Sequence, residues 1–186
     1  MAIRDDEIRA VVAGYLDRHP EEAVLLEGAL QQLNAGEGFA SRHTLPMHVT
    51  VGALLLREEE ILLVEHLAYG IWLQPGGHPE LTDASLIDAA VRELTEESGI
   101  DPAQVHVALP LPVYVEYGRV PARPEKHEPA HYHLDIGFAF TTAVGTQVGR
   151  IQESEVAAAT WYPLAEAERL VGPRIARAVE APVRGS

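Results

Sequence analysis

Residues 76–100 read GGHPELTDASLIDAAVRELTEESGI, and the placement of their carboxylates decides how the rest of the chain is understood. A glycine pair, Gly76-Gly77, leads into a predicted helix. Asp83 suits its N-cap, where a side-chain oxygen accepts a free backbone N–H. Gly99 suits the position just past its end, where the left-handed conformation favours glycine. Between them Leu86, Ile87, Ala90, Val91 and Leu94 recur at helical spacing and span an arc of about 140° that faces the core. Asp88, Arg92 and Thr95 fall on the opposite, solvent side. Glu93 and Glu97 do not. Glu97 projects at the azimuth of Leu86 and Ala90, Glu93 lies about 40° from it, and Glu96 flanks both. A carboxylate turned toward a core must be protonated, paired or bound to a cation. Glutamate oxygens spaced i, i+3 and i+4 suit a hard divalent ion such as Mg²⁺. The competing reading is a Glu-rich surface helix supported by Arg92 and Glu96 at i, i+4. It leaves the apolar-side position of Glu93 and Glu97 without a reason.

Arg92-Glu93-Leu94-x-Glu96-Glu97-x-Gly99-Ile100, with Gly77 upstream, resembles the Nudix box G-x5-E-x7-R-E-U-x-E-E-x-G-U, where U is aliphatic. The second half matches at every position. The first half departs: Asp83 stands for the family's Glu, and eight residues rather than seven separate it from Arg92. An extra residue at the loop-to-helix junction accounts for this, with Asp83 as N-cap and at most an outer-shell ligand. Trp72-Leu73-Gln74-Pro75-Gly76-Gly77-His78 resembles the strand and turn that precede the box, and the order of elements is similar over residues 45 to 165. The resemblance to the Nudix (MutT-like) hydrolases implies an α/β/α sandwich with a central mixed sheet. It also implies water attack at phosphorus in a nucleoside diphosphate linked to some group X, with Mg²⁺ or Mn²⁺ as cofactor. On that resemblance Gly76 (through its carbonyl), Glu93, Glu96 and Glu97 are the metal ligands, and Arg92 orients Glu93 by a charge-assisted bond. Some family members take the water-activating base from the box, others from a later loop. Here Glu153 and Glu155 precede the strand ending at Trp161, and Glu155 is the later-loop candidate. The alternative is a non-catalytic Nudix module that senses a nucleotide or ADP-ribose, but a sensor has no need of the intact glutamate set.

A second polar concentration runs Lys126-His127-Glu128-Pro129-Ala130-His131-Tyr132-His133-Leu134-Asp135. In a strand His131, His133 and Asp135 share one face, and Tyr132, Leu134 and Ile136 share the other, toward the core. The first face could contact phosphate, bind a metal or orient water, or be a hydrogen-bonded sheet surface. His78 and Glu80 could line the site from the glycine loop. Trp72, Phe39 and Tyr114 are either core residues or stacking partners for a base.

Composition narrows the classes. With 186 residues and 47% hydrophobic content, one domain with a real core and an extension is expected. There are no cysteines, which excludes disulfides and thiolate metal sites and makes a cytoplasmic setting natural. The first residues, MAIRDDEIRA, lack a secretory pattern, and no apolar run reaches the roughly 20 residues of a membrane span. A net charge of −14 argues against nucleic-acid binding. It is compatible with a small pyrophosphate substrate, because a bound cation inverts the local field.

The expected organisation is a helical extension over 1–43 and the hydrolase domain over 44–186. In the extension Ile8, Val11, Val12, Tyr15 and Leu16 form one helical stripe. Pro20 opens a second helix with Val24, Leu25, Ala29, Leu30 and Leu33 as its stripe, and the pair packs on the core or on a partner subunit of a homodimer. His48–Leu56 and Ile61–Leu67 read as a hairpin, Ile71–Gln74 as a short strand, and Val105–Tyr117 as extended but broken by Pro110 and Pro112. His133–Thr142 and Thr160–Leu164 read as strands, and Ala165–Val179 as a closing helix.

Overall fold

The centre of the sheet is built from two long apolar strands, β1 (Met47–Arg57) and β7 (His131–Thr141), paired in parallel from Met47↔Tyr132 to Leu56↔Thr141. The computed structural model describes residues 3–124 and 127–180, so Lys126 lies outside the described residues. β1 turns back into β2 (Glu60–His66) through Glu58-Glu59, with Glu58 in the left-handed region at φ 45 and Arg57 Nε bonded to Glu60 Oε2 at 2.8 Å. The sheet runs β3 (Ile71–Leu73), β2, β1, β7, β5 (His106–Val107). In addition β4 (Gly76–Gly77) pairs with β1, β6 (Tyr114–Val120) with β7, and β8 (Val156–Pro163) with β2. These other pairings are antiparallel, so the sheet is mixed, as expected.

Strand alternation gives the sheet two covered faces. Val49, Val51, Ala53 and Leu55 of β1, with Leu134, Ile136, Phe138 and Phe140 of β7, pack against Leu86, Ala90 and Leu94 of α3 (Leu86–Ser98). Ile8 and Val12 of α1 (Asp5–Leu16) and Ala29 and Leu33 of α2 (Glu27–Leu33) join the same cluster. Leu54, Leu56 and Leu63 face the other way, onto Ala167 of α4 (Leu164–Val171) and Ile175 and Ala178 of α5 (Arg174–Glu180). Full burial of one such Leu, Ile or Phe is worth about 1.5–3 kcal/mol, which is what fixes this α/β/α order of layers.

Several expectations shift in detail. Pro20 opens only a 3₁₀ turn, Pro20–Glu22, and α2 begins at Glu27. The turn between them resets the helical phase, so Val24 and Leu25, assigned to the buried stripe, are 80% and 71% exposed. The closing helix is two helices, interrupted where Gly172 takes φ 102 and Pro173 has no N–H to donate. Residues 105–117 hold β5 and the start of β6 rather than one extended run, and Val113 reaches β7 through the Gly137 carbonyl at 2.8 Å. The N-cap of α3 is Ser85, not Asp83. Ser85 Oγ accepts from the Asp88 N–H at 3.1 Å and donates to Asp88 Oδ2 at 2.8 Å. At the other end Gly99 closes the helix at φ 67, and a Cβ there would lie 2.3 Å from the Arg150 nitrogen. Among the described residues no helix is long and apolar enough to cross a membrane.

Candidate functional site

α3 carries its carboxylates on the face that packs beneath β4. Glu93 and Glu97 are buried, at 6% and 1% exposure, while Glu96 stays at the surface. The glycine pair makes this approach possible. A Cβ on Gly77 would sit 2.5 Å from the Glu93 carboxyl carbon. The Gly76 N–H donates to Glu97 Oε2 at 3.0 Å, and Glu97 Oε1 is buried with no hydrogen-bond partner among the described residues. Burial pushes the Glu97 carboxyl up to about 8 and the Glu93 carboxyl up to about 7, with Arg92 opposing the rise at Glu93. Two adjacent, water-poor carboxylates with an unsatisfied oxygen form a donor set that fits a hard divalent cation.

Arg92 and Thr95 are not the solvent-facing residues that the helical wheel implies. The Arg92 side chain is only 19% exposed, and Thr95 Oγ1 is buried without a hydrogen-bond partner among the described residues. The reason is the acidic loop ahead of the helix. Arg92 Nε and Nη2 donate to the two Asp83 oxygens at 3.1 Å each, and Nη2 also donates to the His78 carbonyl at 2.8 Å. Its Nη1 lies 3.1 Å from Glu93 Oε1 and 3.0 Å from Glu96 Oε2. Asp83, itself buried, further accepts the Glu80 N–H at 2.7 Å. The extra residue before Arg92 thus lets Ser85 cap the helix and frees Asp83 to clamp the arginine. That clamp turns Arg92 inward, where it pins Glu93.

A cleft of about 670 Å³ opens beside this cluster. Gly76, Gly77, His78, His133, Asp135 and Glu155 line it. Asp135 is fixed by Thr50 Oγ1 (3.1 Å), the Tyr114 hydroxyl (3.0 Å) and Arg174 Nη1 (3.5 Å). Glu155 is exposed at the rim, in the turn before β8, and its charge adds to the rise at both Glu93 and Glu97. Glu153 and Glu80 are also exposed, and neither is among the residues that line the cleft. His131 is buried behind His133, Nε2 to Nε2 at 3.0 Å, and borders a second cavity of about 260 Å³. Phe39 and Tyr114 are core residues, and Trp72 packs on Tyr162 at 5.1 Å, so none of the three is placed for stacking on a base.

Three residues of this region escape a reading of the sequence alone. His48 is buried and reaches His78, Nε2 to Nε2 at 3.2 Å. Only the parallel register His48↔His133 brings it there, and no local pattern announces that pairing. Arg174 closes onto Glu116 and Asp135 from α5, more than fifty residues downstream of Glu116. Gln74 donates to the Tyr114 hydroxyl at 2.9 Å beneath the glycine pair.

Known proteins are similar to parts of this chain. Over 61 residues, 32% of this chain and 39% of the relative, the sequence is 44% identical to Phosphatase NudJ of Escherichia coli (strain K12). The match therefore spans about two-fifths of that relative's length. Among solved structures, a NUDIX-family hydrolase from Clostridium perfringens superposes with a TM-score of 0.53 at 19% identity, over 75% of this chain and 98% of that one. An Ap4A hydrolase binary complex from C. elegans does so with a TM-score of 0.52 at 18% identity, over 74% and 98%. These two similarities establish the fold. A family model described as the NUDIX domain matches residues 46–181, the greater part of the molecule, and on that ground the chain belongs to the NUDIX family.

Proposed function

We propose that the protein is a divalent-metal-dependent hydrolase of a phosphate anhydride, acting on a nucleoside diphosphate linked to a group X. The observation that carries the reading is the buried pair Glu93 and Glu97 beneath Gly76-Gly77, with one glutamate oxygen left unsatisfied. Glu93, Glu96 and Glu97, with the Gly76 carbonyl, would hold Mg²⁺ or Mn²⁺. Bound there, the ion neutralises phosphoryl charge and acidifies water.

The chain supplies the rest. Asp83 holds Arg92, Arg92 holds Glu93 and Glu96, and the Gly76 N–H holds Glu97, so the carboxylates stand preorganised rather than collecting on demand. Glu155, at the rim of the same cleft, takes the proton of the attacking water. Arg42 and Arg119 line the cleft and make no ion pair among the described residues, so they are available to a polyphosphate. In a chain of net charge −14 such cations are the local attraction for an anionic substrate. The name of the E. coli relative, a phosphatase, agrees with chemistry at phosphorus.

The experiment is a screen of nucleoside triphosphates, dinucleoside polyphosphates and nucleotide sugars with Mg²⁺ and with Mn²⁺, reading released nucleoside monophosphate and phosphate. Turnover that depends on added metal is the expected result. Tight nucleotide binding with no turnover on any compound would favour a sensing module instead.

Two variants test individual roles. Gly77→Ala places a methyl group at 2.5 Å from the Glu93 carboxyl, the free end of a side chain, which swings aside. The fold is retained, and Mg²⁺-supported kcat falls by about 10–100-fold, as when a group that orients a metal ligand is lost. Unchanged kcat would show that the close approach has no role. Glu155→Gln removes the proton acceptor and flattens the alkaline-rising limb of the pH–rate profile. A profile identical to that of the unmodified protein would take Glu155 out of the reaction.

A further inference from the structure

Four imidazoles meet at the wall between the two cavities, and the proposed hydrolysis does not use them. His78 and His133 line the larger cavity, and His48 and His131 the smaller. The sheet register brings them together. His48 on β1 stands opposite His133 on β7, and His78 follows β4, which pairs with β1. One ring nitrogen from each of His48, His78 and His133 falls within 4.8 Å of the others. His131 stacks on His48 with centroids 4.8 Å apart at 25°.

Backbone carbonyls fix which nitrogens are free. His48 Nδ1 contacts the Thr44 carbonyl at 3.1 Å, and His131 Nδ1 the Pro129 carbonyl at 2.8 Å. A carbonyl only accepts, so both Nδ1 atoms carry the proton and both Nε2 atoms present a lone pair. The two lone pairs point at neighbouring rings, His48 Nε2 at His78 Nε2 (3.2 Å) and His131 Nε2 at His133 Nε2 (3.0 Å). An Nδ1–H held by a carbonyl, which leaves Nε2 as the ligand atom, is the outer-shell arrangement that orients imidazole ligands on a metal.

We propose that His48, His78 and His133 form a second metal site, separate from the glutamates, for an imidazole-preferring divalent cation of the Zn²⁺ class. A tetrahedral site with Zn–N of about 2.0–2.1 Å sets its ligand nitrogens about 3.3 Å apart. The His48–His78 separation of 3.2 Å already meets this, and rotation of His133 about its side-chain torsions closes the remainder. The proton balance is simple: neutral His78 and His133 move their proton from Nε2 to Nδ1 and bind through Nε2, with no net release. The Nε2 lone pair that the Thr44 carbonyl leaves on His48 attracts a Lewis acid, whereas a phosphate needs donors. Ligand softness separates the two sites, Mg²⁺ preferring the carboxylates and Zn²⁺ or Co²⁺ the imidazoles. Three protein ligands leave one position for water or for a group held in the cleft.

The site is tested on the chelator-treated full chain by titration with Co²⁺ in excess Mg²⁺, following the visible absorption of tetrahedral Co²⁺. One equivalent binds, and the Glu93→Gln/Glu97→Gln double variant binds it equally well, whatever becomes of hydrolysis. Because loss of an outer-shell partner alone costs about 10–100-fold in affinity, His48→Ala and His133→Ala should each weaken binding by more than about 100-fold. The proposal is overturned if no Co²⁺ binds in Mg²⁺, if both histidine variants bind normally, or if binding disappears only with the glutamates. Should the buried His48 variant fail to fold, imidazole ¹H–¹⁵N spectra of the unaltered protein decide. Zn²⁺ must shift Nε2 of His48, His78 and His133, and unshifted resonances refute the site.

Discussion

Glu97→Gln is expected to lower Mg²⁺-supported turnover by about 10³-fold or more while leaving the fold intact. A bound divalent ion supplies several kcal/mol of transition-state stabilisation, and each 1.36 kcal/mol is a factor of ten in rate. Glu97 is the deepest of the three glutamates, it is fixed by the Gly76 N–H, and its second oxygen has no partner among the described residues. The amide of glutamine preserves the shape and can still accept from Gly76, but it removes the charge that a hard cation requires. The fold should not suffer, since a buried carboxylate without a cation is itself a cost. Steady-state kinetics over a range of Mg²⁺, with circular dichroism as the control for folding, measure both halves. Turnover equal to that of the unaltered protein would mean that Glu97 is not a ligand and that its burial has another cause.

The elements that a local pattern dictates were readable from the chain. Glu93 and Glu97 share the phase of Leu86, Ala90 and Leu94, and all five are buried. Leu134 and Ile136 alternate with His133 and Asp135, and the structure keeps them on opposite faces. What could not be read depends on partners distant in sequence. Arg92 looks solvent-facing on a wheel because the wheel does not contain Asp83, whose loop folds back over the helix. Asp83 and Ser85 are both good N-caps, and only the path of that loop selects Ser85. Val24 and Leu25 fit a continuous helix, but a 3₁₀ turn and a break put them in solvent. His48 carries no local sign of its role, since a histidine in an apolar strand acquires neighbours only when β1 and β7 align in parallel.

The same burial that prepares the glutamates for a cation should make the metal-free protein lose stability as pH rises from 6.5 to 8.5. In the unfolded chain Glu93 and Glu97 titrate near their ordinary value of 4.5, whereas burial raises them to about 7 and about 8 in the fold. Below 4.5 both states are protonated, and the neutral buried carboxyls cost little. Between 4.5 and the raised values the native state binds more protons than the unfolded state, so stability falls with pH until both groups have ionised. The buried histidines act in the opposite sense, in a window that overlaps the lower part of this one. His78 and His133 are lowered to about 3 by burial, chiefly, and by their neighbouring imidazoles. They therefore add stability as pH rises from about 3 to 6.5 and nothing further above it. Between pH 4.5 and 6.5 the two pairs offset each other, so stability should be level there and fall above pH 6.5. Above that, Glu93 and Glu97 have about 0.5 and 1.5 pH units left to their raised values, which amounts to about 3 kcal/mol at about 1.4 kcal/mol per pH unit. In a chain of this size that corresponds to a fall in Tm of about 6–12 °C in chelator between pH 6.5 and 8.5. Glu97→Gln should remove most of the fall. Millimolar Mg²⁺ should flatten it for the unaltered protein and not for the variant, because a cation that binds only the folded, ionised carboxylates offsets their desolvation. A thermal-unfolding series across these pH values, with and without Mg²⁺, measures all three. A Tm that stays level or rises toward pH 8.5 in chelator would show that the two carboxyls are not held in a water-poor pocket, and the ligand assignment would lose its physical basis.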